Sequence, residues 1–207
     1  MRPGLEEVRD KQFGVFTSWQ VLCEYTRAEM RTLLDRGEWV RVFRGVFREV
    51  TTPPSARLRV EAARLSMGVP SLTAAYDTAA ELHGFAVRHN HPTHVLGPQD
   101  SRTGRLIVHR DHVDQAELEL IQGTITTNAA RTAIDVARTL SRPDALATLN
   151  AALRRGVPRS ALTLELQRHY RRRGHSQAAE LLELARARPQ SIARIHCPNT
   201  TLPVPEQ

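Results

Sequence analysis

Residues 26–50 run TRAEMRTLLDRGEWVRVFRGVFREV, and their periodicity changes half-way. Thr26, followed three residues on by Glu29, has the spacing of a capping box: a hydroxyl for a free N–H and a carboxylate reaching back. The helix opened there carries Met30, Leu33 and Leu34 at helical spacing and stops at Gly37. Beyond it, 39–43 and 46–50 are rich in β-branched and aromatic residues, with Arg44 and Gly45 between them. That pattern predicts a hairpin, and Gly45 lets its tip turn tightly.

Upstream, 5–13 predicts a short helix broken at Gly14. Val15 and Phe16 form an apolar step, and Thr17 and Ser18 are candidate N-caps. Residues 19–24 predict a second helix with Trp19, Leu22 and Cys23 on one side. Residues 51–55, TTPPS, close the unit as a linker. Helix, helix–turn–helix and hairpin is the order of a winged helix, so residues 1–50 are expected to be a winged helix-turn-helix domain. Its helix offers Arg27, Arg31 and Arg36, and its hairpin offers Arg41, Arg44 and Arg48. Arginine meets phosphate or the guanine edge, which makes these six candidate DNA contacts. The same pattern also fits solvated arginines offset by Asp35 and Glu38, or a winged helix that binds protein.

Downstream, residues 56–190 predict a mostly helical mixed α/β domain, giving an α+β chain overall. Helices are expected at 56–68, 73–83, 129–140, 144–155, 161–172 and 176–187. Short strands are expected at 94–96, 106–109 and 125–127, with 118–121 a strand or a helical turn. Asn128 and Ser160 are candidate caps. After Pro189 the pattern decays, so 191–207 are expected to be a tail or the start of a further domain.

Composition narrows the function classes. The 207 residues include 29 basic and 22 acidic side chains, for a net charge of +7. All the basic residues but Lys11 are arginine. Residues 1–100 are nearly balanced, and the excess lies beyond them. It is densest at Arg154, Arg155, Arg168, Arg171, Arg172 and Arg173, a second basic patch that fits a polyanion or an acidic protein, or simply a solvated face. Two distant cysteines, Cys23 and Cys197, exclude a disulfide scaffold and a cysteine-rich metal site. The first residues, MRPGLEEVRD, do not read as a secretory signal, and no apolar run is long enough to span a bilayer. A cytoplasmic location is expected.

No glycine-rich phosphate loop and no GxSxG elbow occurs. A restriction-type nuclease needs clustered carboxylates and a lysine, and Lys11 lies outside any such context. His89, His91, His94, His109 and His112 are the most enzyme-like feature, yet they lack zinc-motif spacing. They are expected to be solvated or capping, with no metal and no cofactor. Arg131 and Asp135, four apart on one helix, suggest a helix-surface ion pair, or an arginine poised for phosphate or a partner.

Taken together, the landmarks FGVFT (13–17), LLDRG (33–37), Trp39, RGVF (44–47), AELHG (80–84), VHR (108–110), GTITT (123–127) and ARTAIDVAR (130–138) resemble the actinobacterial relatives of AbiEi, the antitoxin of type IV toxin–antitoxin systems. The resemblance covers about residues 10–190 and rests on order and spacing. It implies a non-catalytic transcriptional regulator whose winged helix binds double-stranded promoter repeats. It also implies a functional link to a nucleotidyltransferase-like toxin, with no stable contact. Arg27, Arg31, Arg41 and Arg44 would be DNA contacts, and Arg131 would hold the middle domain. Many relatives continue into a restriction-endonuclease-like domain, which 196–207 only faintly resemble. Two other readings stay open: a protein-interaction module using the winged helix, and the remnant of a defence nuclease.

Overall fold

The computed structural model describes residues 1–85 and 92–186. Its first unit runs α1 (Pro3–Lys11), β1 (Val15–Thr17), α2 (Ser18–Leu22), α3 (Arg27–Asp35), β2 (Trp39–Phe43) and β3 (Val46–Glu49). The strands form an antiparallel sheet in the order β1-β3-β2. This matches the element order read from the sequence for a winged helix.

Local chemistry sets the helix starts. Thr26 Oγ1 accepts from the Glu29 N–H at 3.2 Å, and Glu29 Oε2 accepts from the Thr26 N–H at 2.7 Å. Thr17 and Gln20 form a second box at the start of α2. Between the helices and the sheet lie Leu5, Phe16, Val21, Trp39 and Phe47. Phe16 meets the Trp39 ring edge-on, with centroids 4.8 Å apart. Gly45 turns the hairpin with φ +70°, where a β-carbon would be strained.

The linker at 51–55 leads straight into α4 (Ala56–Met67), which serves two cores. Leu58 and Ala62 pack with Val15 and Val46 of the small sheet. Val60 and Ala63 pack with Leu72, Ala74, Val95 and Val108 of the larger one. The helix therefore ties the two units through side chains rather than a loose tether.

The second unit holds β4 (Thr73–Ala74), α5 (Tyr76–Leu82), β5 (Thr93–Leu96), β6 (Ser101–Arg102), β7 (Leu106–His109), β8 (Leu118–Ile121) and β9 (Thr124–Thr127). Four helices follow: α6 (Ala129–Thr139), α7 (Arg142–Arg154), α8 (Arg159–Arg168) and α9 (His175–Leu184). The mixed sheet has the order β6-β7-β5-β4-β9-β8. The helices enclose their own core around Ile134, Val136, Leu149, Leu162 and Leu182.

The sequence predicted one helix over 73–83, and the structure divides it. Thr73 and Ala74 form a central strand between β5 and β9, and the helix begins at Tyr76. Ala74 pairs with Thr126, far along the chain, so local periodicity carries no trace of it. The helix expected at 161–172 is α8, which ends at Arg168; Arg171 follows in the left-handed region at φ +66°. The expected tail at 191–207 lies outside the described residues.

Gly174 opens α9 with φ +79°, and a β-carbon there would stand 2.1 Å from the backbone oxygen of Arg138. Backbone cannot swing aside as a flexible side chain does. Gly174→Ala is expected to cost about 1–3 kcal/mol, measured by urea denaturation, as overpacked sites do.

Candidate nucleic-acid interface

Helix α3 has no buried residue, although Met30, Leu33 and Leu34 rest partly against the core. Its outer face is therefore free to meet something large. A groove of about 760 Å³ between α2, α3 and β2 is lined by Leu22, Met30 and Val40 together with Arg27, Arg31 and Arg41. Three of the six candidate arginines thus share one concave surface. Arg27 and Arg31 are exposed and make no ion pair among the described residues.

The hairpin tip adjoins this surface. The Ser18 N–H at the start of α2 donates to the Gly45 carbonyl at 2.8 Å. Arg44, the residue before Gly45 at this tip, is exposed and also makes no ion pair among the described residues. Arg36 sits 3.9 Å from Glu38, a weak exposed pair. Arg48 is placed differently from the others. Its Nη1 donates to the carbonyls of Glu49, Val50 and Thr52, so it closes the hairpin exit.

One residue on this surface carried no functional expectation. Trp19 is 79% exposed, at the start of α2 beside the hairpin tip, whereas Trp39 is 5% exposed. The amphipathic spacing of 19–24 showed that Trp19, Leu22 and Cys23 share a side. Periodicity alone does not say whether that side faces core or solvent.

The second basic patch is partly spent on internal pairing. Arg172 reaches Asp111 at 2.6 Å, and Arg168 lies 3.4 Å from Glu165 and 3.7 Å from Glu117. Arg171 lies over the Tyr170 ring at 5.4 Å. Exposed Arg154, Arg155 and Arg173 make no ion pair among the described residues. Of the six, it is the two paired ones that border the deepest charged feature of the molecule.

That feature corrects the expectation of a helix-surface pair at Arg131 and Asp135. Both are buried, at 2% and 1% exposure. Arg131 lies 2.7 Å from Asp135, 2.6 Å from Asp111 and 3.3 Å from Glu117. Asp135 also receives Arg138 at 2.7 Å. His169, 1% exposed, stands 3.2 Å from both Asp135 and Glu165. The network joins α6, α8 and the loop before β8.

Its electrostatics follow from that geometry. Burial alone would raise the Asp135 carboxyl, but His169, Arg131 and Arg138 hold it down at about 2. Burial alone would lower His169, but Asp135 and Glu165 hold the imidazole up at about 9. Burial, together with the charge of Asp135, pushes the Tyr76 phenol up to about 12. These groups are locked into one charge state at neutral pH and face inward. That arrangement suits a structural clamp rather than proton transfer.

Of the histidines expected to be solvated or capping, His94 and His109 are half-buried. Their rings stack at 5.2 Å, with Nδ1 of His94 3.0 Å from Nε2 of His109. Burial lowers His109. Among the described residues no three His, Cys, Asp or Glu side chains are grouped to hold a metal. His89 and His91 lie outside the described residues. No described helix is long and apolar enough to cross a membrane.

Comparison with known proteins gives three findings. Residues 72–184 match the family model of the AbiEi antitoxin C-terminal domain. An uncharacterized protein of Mycobacterium tuberculosis, Rv2248, is 36% identical over 188 residues, covering 87% of this chain and 68% of that protein. The counterpart MT2308 in strain CDC 1551 matches to the same extent. The crystal structure of the RV2827C protein from Mycobacterium tuberculosis superposes with a TM-score of 0.57 at 14% identity, covering 86% of this chain and 74% of that one. This last likeness is one of fold.

Proposed function

The chain belongs to the AbiEi antitoxin family, and we propose that this protein is a non-catalytic, DNA-binding transcriptional regulator of antitoxin type. Residues 1–50 serve as the winged helix-turn-helix. Helix α3 enters the major groove while the hairpin wing follows the backbone. The regulator represses its own operon and counteracts a nucleotidyltransferase-like toxin in the cytoplasm without stable contact, the domain after the winged helix supporting both roles. One observation carries the reading most. Arg27 and Arg31 on an unburied helix, with Arg44 at the adjoining tip, are charged, exposed and free of carboxylate partners among the described residues.

Fluorescence anisotropy on the protein's own upstream duplex, beside a scrambled duplex and across a salt series, tests this. Tight binding to the upstream sequence, weakening steeply with salt, is expected. Arg31→Ala and Arg44→Ala should each weaken it. An arginine on phosphate weakens both duplexes alike and lowers the salt slope by about 1, whereas one on a base edge costs about 1–3 kcal/mol on the upstream duplex and relaxes specificity. Equal, weak binding to both duplexes would sink the proposal.

The exposed Trp19 and Leu22 favour one second reading, a winged helix that docks on protein. Tryptophan emission separates the two. If DNA covers this face, the duplex should quench Trp19 and leave buried Trp39 unaffected, so Trp19→Phe abolishes the change. A salt-insensitive complex with a copurifying protein, and no response to DNA, would favour docking.

A further inference from the structure

Between the wing and the second sheet lies a cleft of about 420 Å³, walled by β2, the start of α4 and the turn before β7. Ligand sites concentrate at such junctions between units, and this volume is within their usual range. Arg48, Arg59 and Arg105 line it, together with Glu81 and with Arg41, whose backbone carbonyl faces Arg105.

Their charges are unevenly answered. Arg59 pairs with Glu81 at 2.6 Å. Arg48 donates to backbone carbonyls, which accept hydrogen bonds but do not neutralise its charge. Arg105 Nη1 points to the Arg41 carbonyl at a long 3.5 Å. The Arg41 guanidinium lies 5.7 Å from the centre of the Phe47 ring, on the face of β2 that carries Trp39 and borders the α3 groove, so its charge belongs to that groove and not to the cleft. Arg48 and Arg105 therefore have no carboxylate partner among the described residues, while Arg59 has Glu81. Arg48 and Arg105 are thus two like charges beside one cleft with no carboxylate to answer them, and they repel. An oxyanion would relieve that repulsion.

We propose that this cleft is a phosphate-binding site, distinct from the outer face of α3. Guanidinium forks match phosphate oxygens in geometry and charge. Phe43, Leu58 and Pro54 supply an apolar wall for whatever carries the phosphate. Two carriers share this chemistry: a free nucleotide-sized molecule, and the backbone of DNA lying along the wing.

The test uses the full chain and Arg105→Glu, because Arg105 is exposed and is not among the candidate DNA contacts. Arg142→Glu, on exposed α7 surface, controls for net charge. Calorimetry with AMP, pyrophosphate and adenosine forms one arm, and anisotropy with the upstream duplex forms the other. Binding of AMP and pyrophosphate but not adenosine, weakened about tenfold or more by Arg105→Glu and not by Arg142→Glu, establishes a free phosphate ligand. No heat from these probes, with a similar loss on the duplex specific to Arg105→Glu, assigns the phosphate to DNA. The proposal is overturned if Arg105→Glu changes neither arm, or changes them no more than Arg142→Glu. Failure of the α3 reading looks different: Arg31→Ala then leaves duplex binding unchanged, and the AMP arm is unaffected.

Discussion

Arg131→Ala is expected to remove about 3–5 kcal/mol of folding free energy, read as a fall in the urea midpoint. The arginine is buried and answers Asp111, Glu117 and Asp135 at once. Its loss leaves carboxylates in low dielectric with too little positive charge, and their desolvation is no longer repaid. Arg138 and His169 still reach Asp135, but Asp111 and Glu117 keep only Arg172 and Arg168. Arg131→Lys keeps the charge and loses the fork, so it should fall between wild type and Arg131→Ala. A change below about 1 kcal/mol for Arg131→Ala would show that the network does not clamp α6 to α8. If the alanine variant does not fold, the lysine variant carries the test.

Stability should also depend on pH in two directions, both traceable to the same network. Asp135 is held down at about 2, below its unfolded value of 3.8. Its contribution is present above the unfolded value and disappears as pH falls through about 2. His169 is held up at about 9, above its unfolded value of 6.5. Its contribution is complete below the unfolded value and is lost as pH rises through about 9. The network should therefore contribute most between about pH 4 and 6.5. Across the alkaline limb the loss is on the order of 3 kcal/mol, shared with the carboxylates that hold the imidazolium. Thermal melts from pH 5 to about 10 check this, with His169→Gln as the comparison. The variant should be less stable than wild type near pH 6, and its alkaline slope should be shallower. Parallel slopes for the two proteins would show that His169 is not the titrating group.

These two effects rest on groups that the sequence revealed unequally. Arg131 and Asp135 stand four apart, and Ala133, Ile134, Val136 and Ala137 surround them. In the structure every residue from Arg131 to Ala137 is buried. Arg131, Asp135 and Arg138 fall on one face of the helix, which reads from sequence as a solvated stripe; only α8 and the loop before β8 packing over that face bury it. Glu117, Glu165 and His169 were not legible. They come from a 3-10 turn and from α8, and nothing near them in sequence marks them as partners.

Local chemistry determined the first unit. The Thr26–Glu29 box, Gly37 past the helix end, the β-branched runs and Gly45 at the tip each act within a few residues of themselves. They mark where α3 and the hairpin begin and turn, and they identified Arg27, Arg31 and Arg44 as surface charges. Tertiary structure decided what depends on distant pairing. It made Thr73 and Ala74 a strand, because their neighbours are β5 and β9 rather than the next helical turn. It tied Arg48 to backbone carbonyls and the exposed Arg168 and Arg172 to the carboxylates beside them. It also left Trp19 in solvent and gathered Arg48, Arg59 and Arg105 around one cleft. Periodicity reports which residues share a face; only packing decides what that face meets.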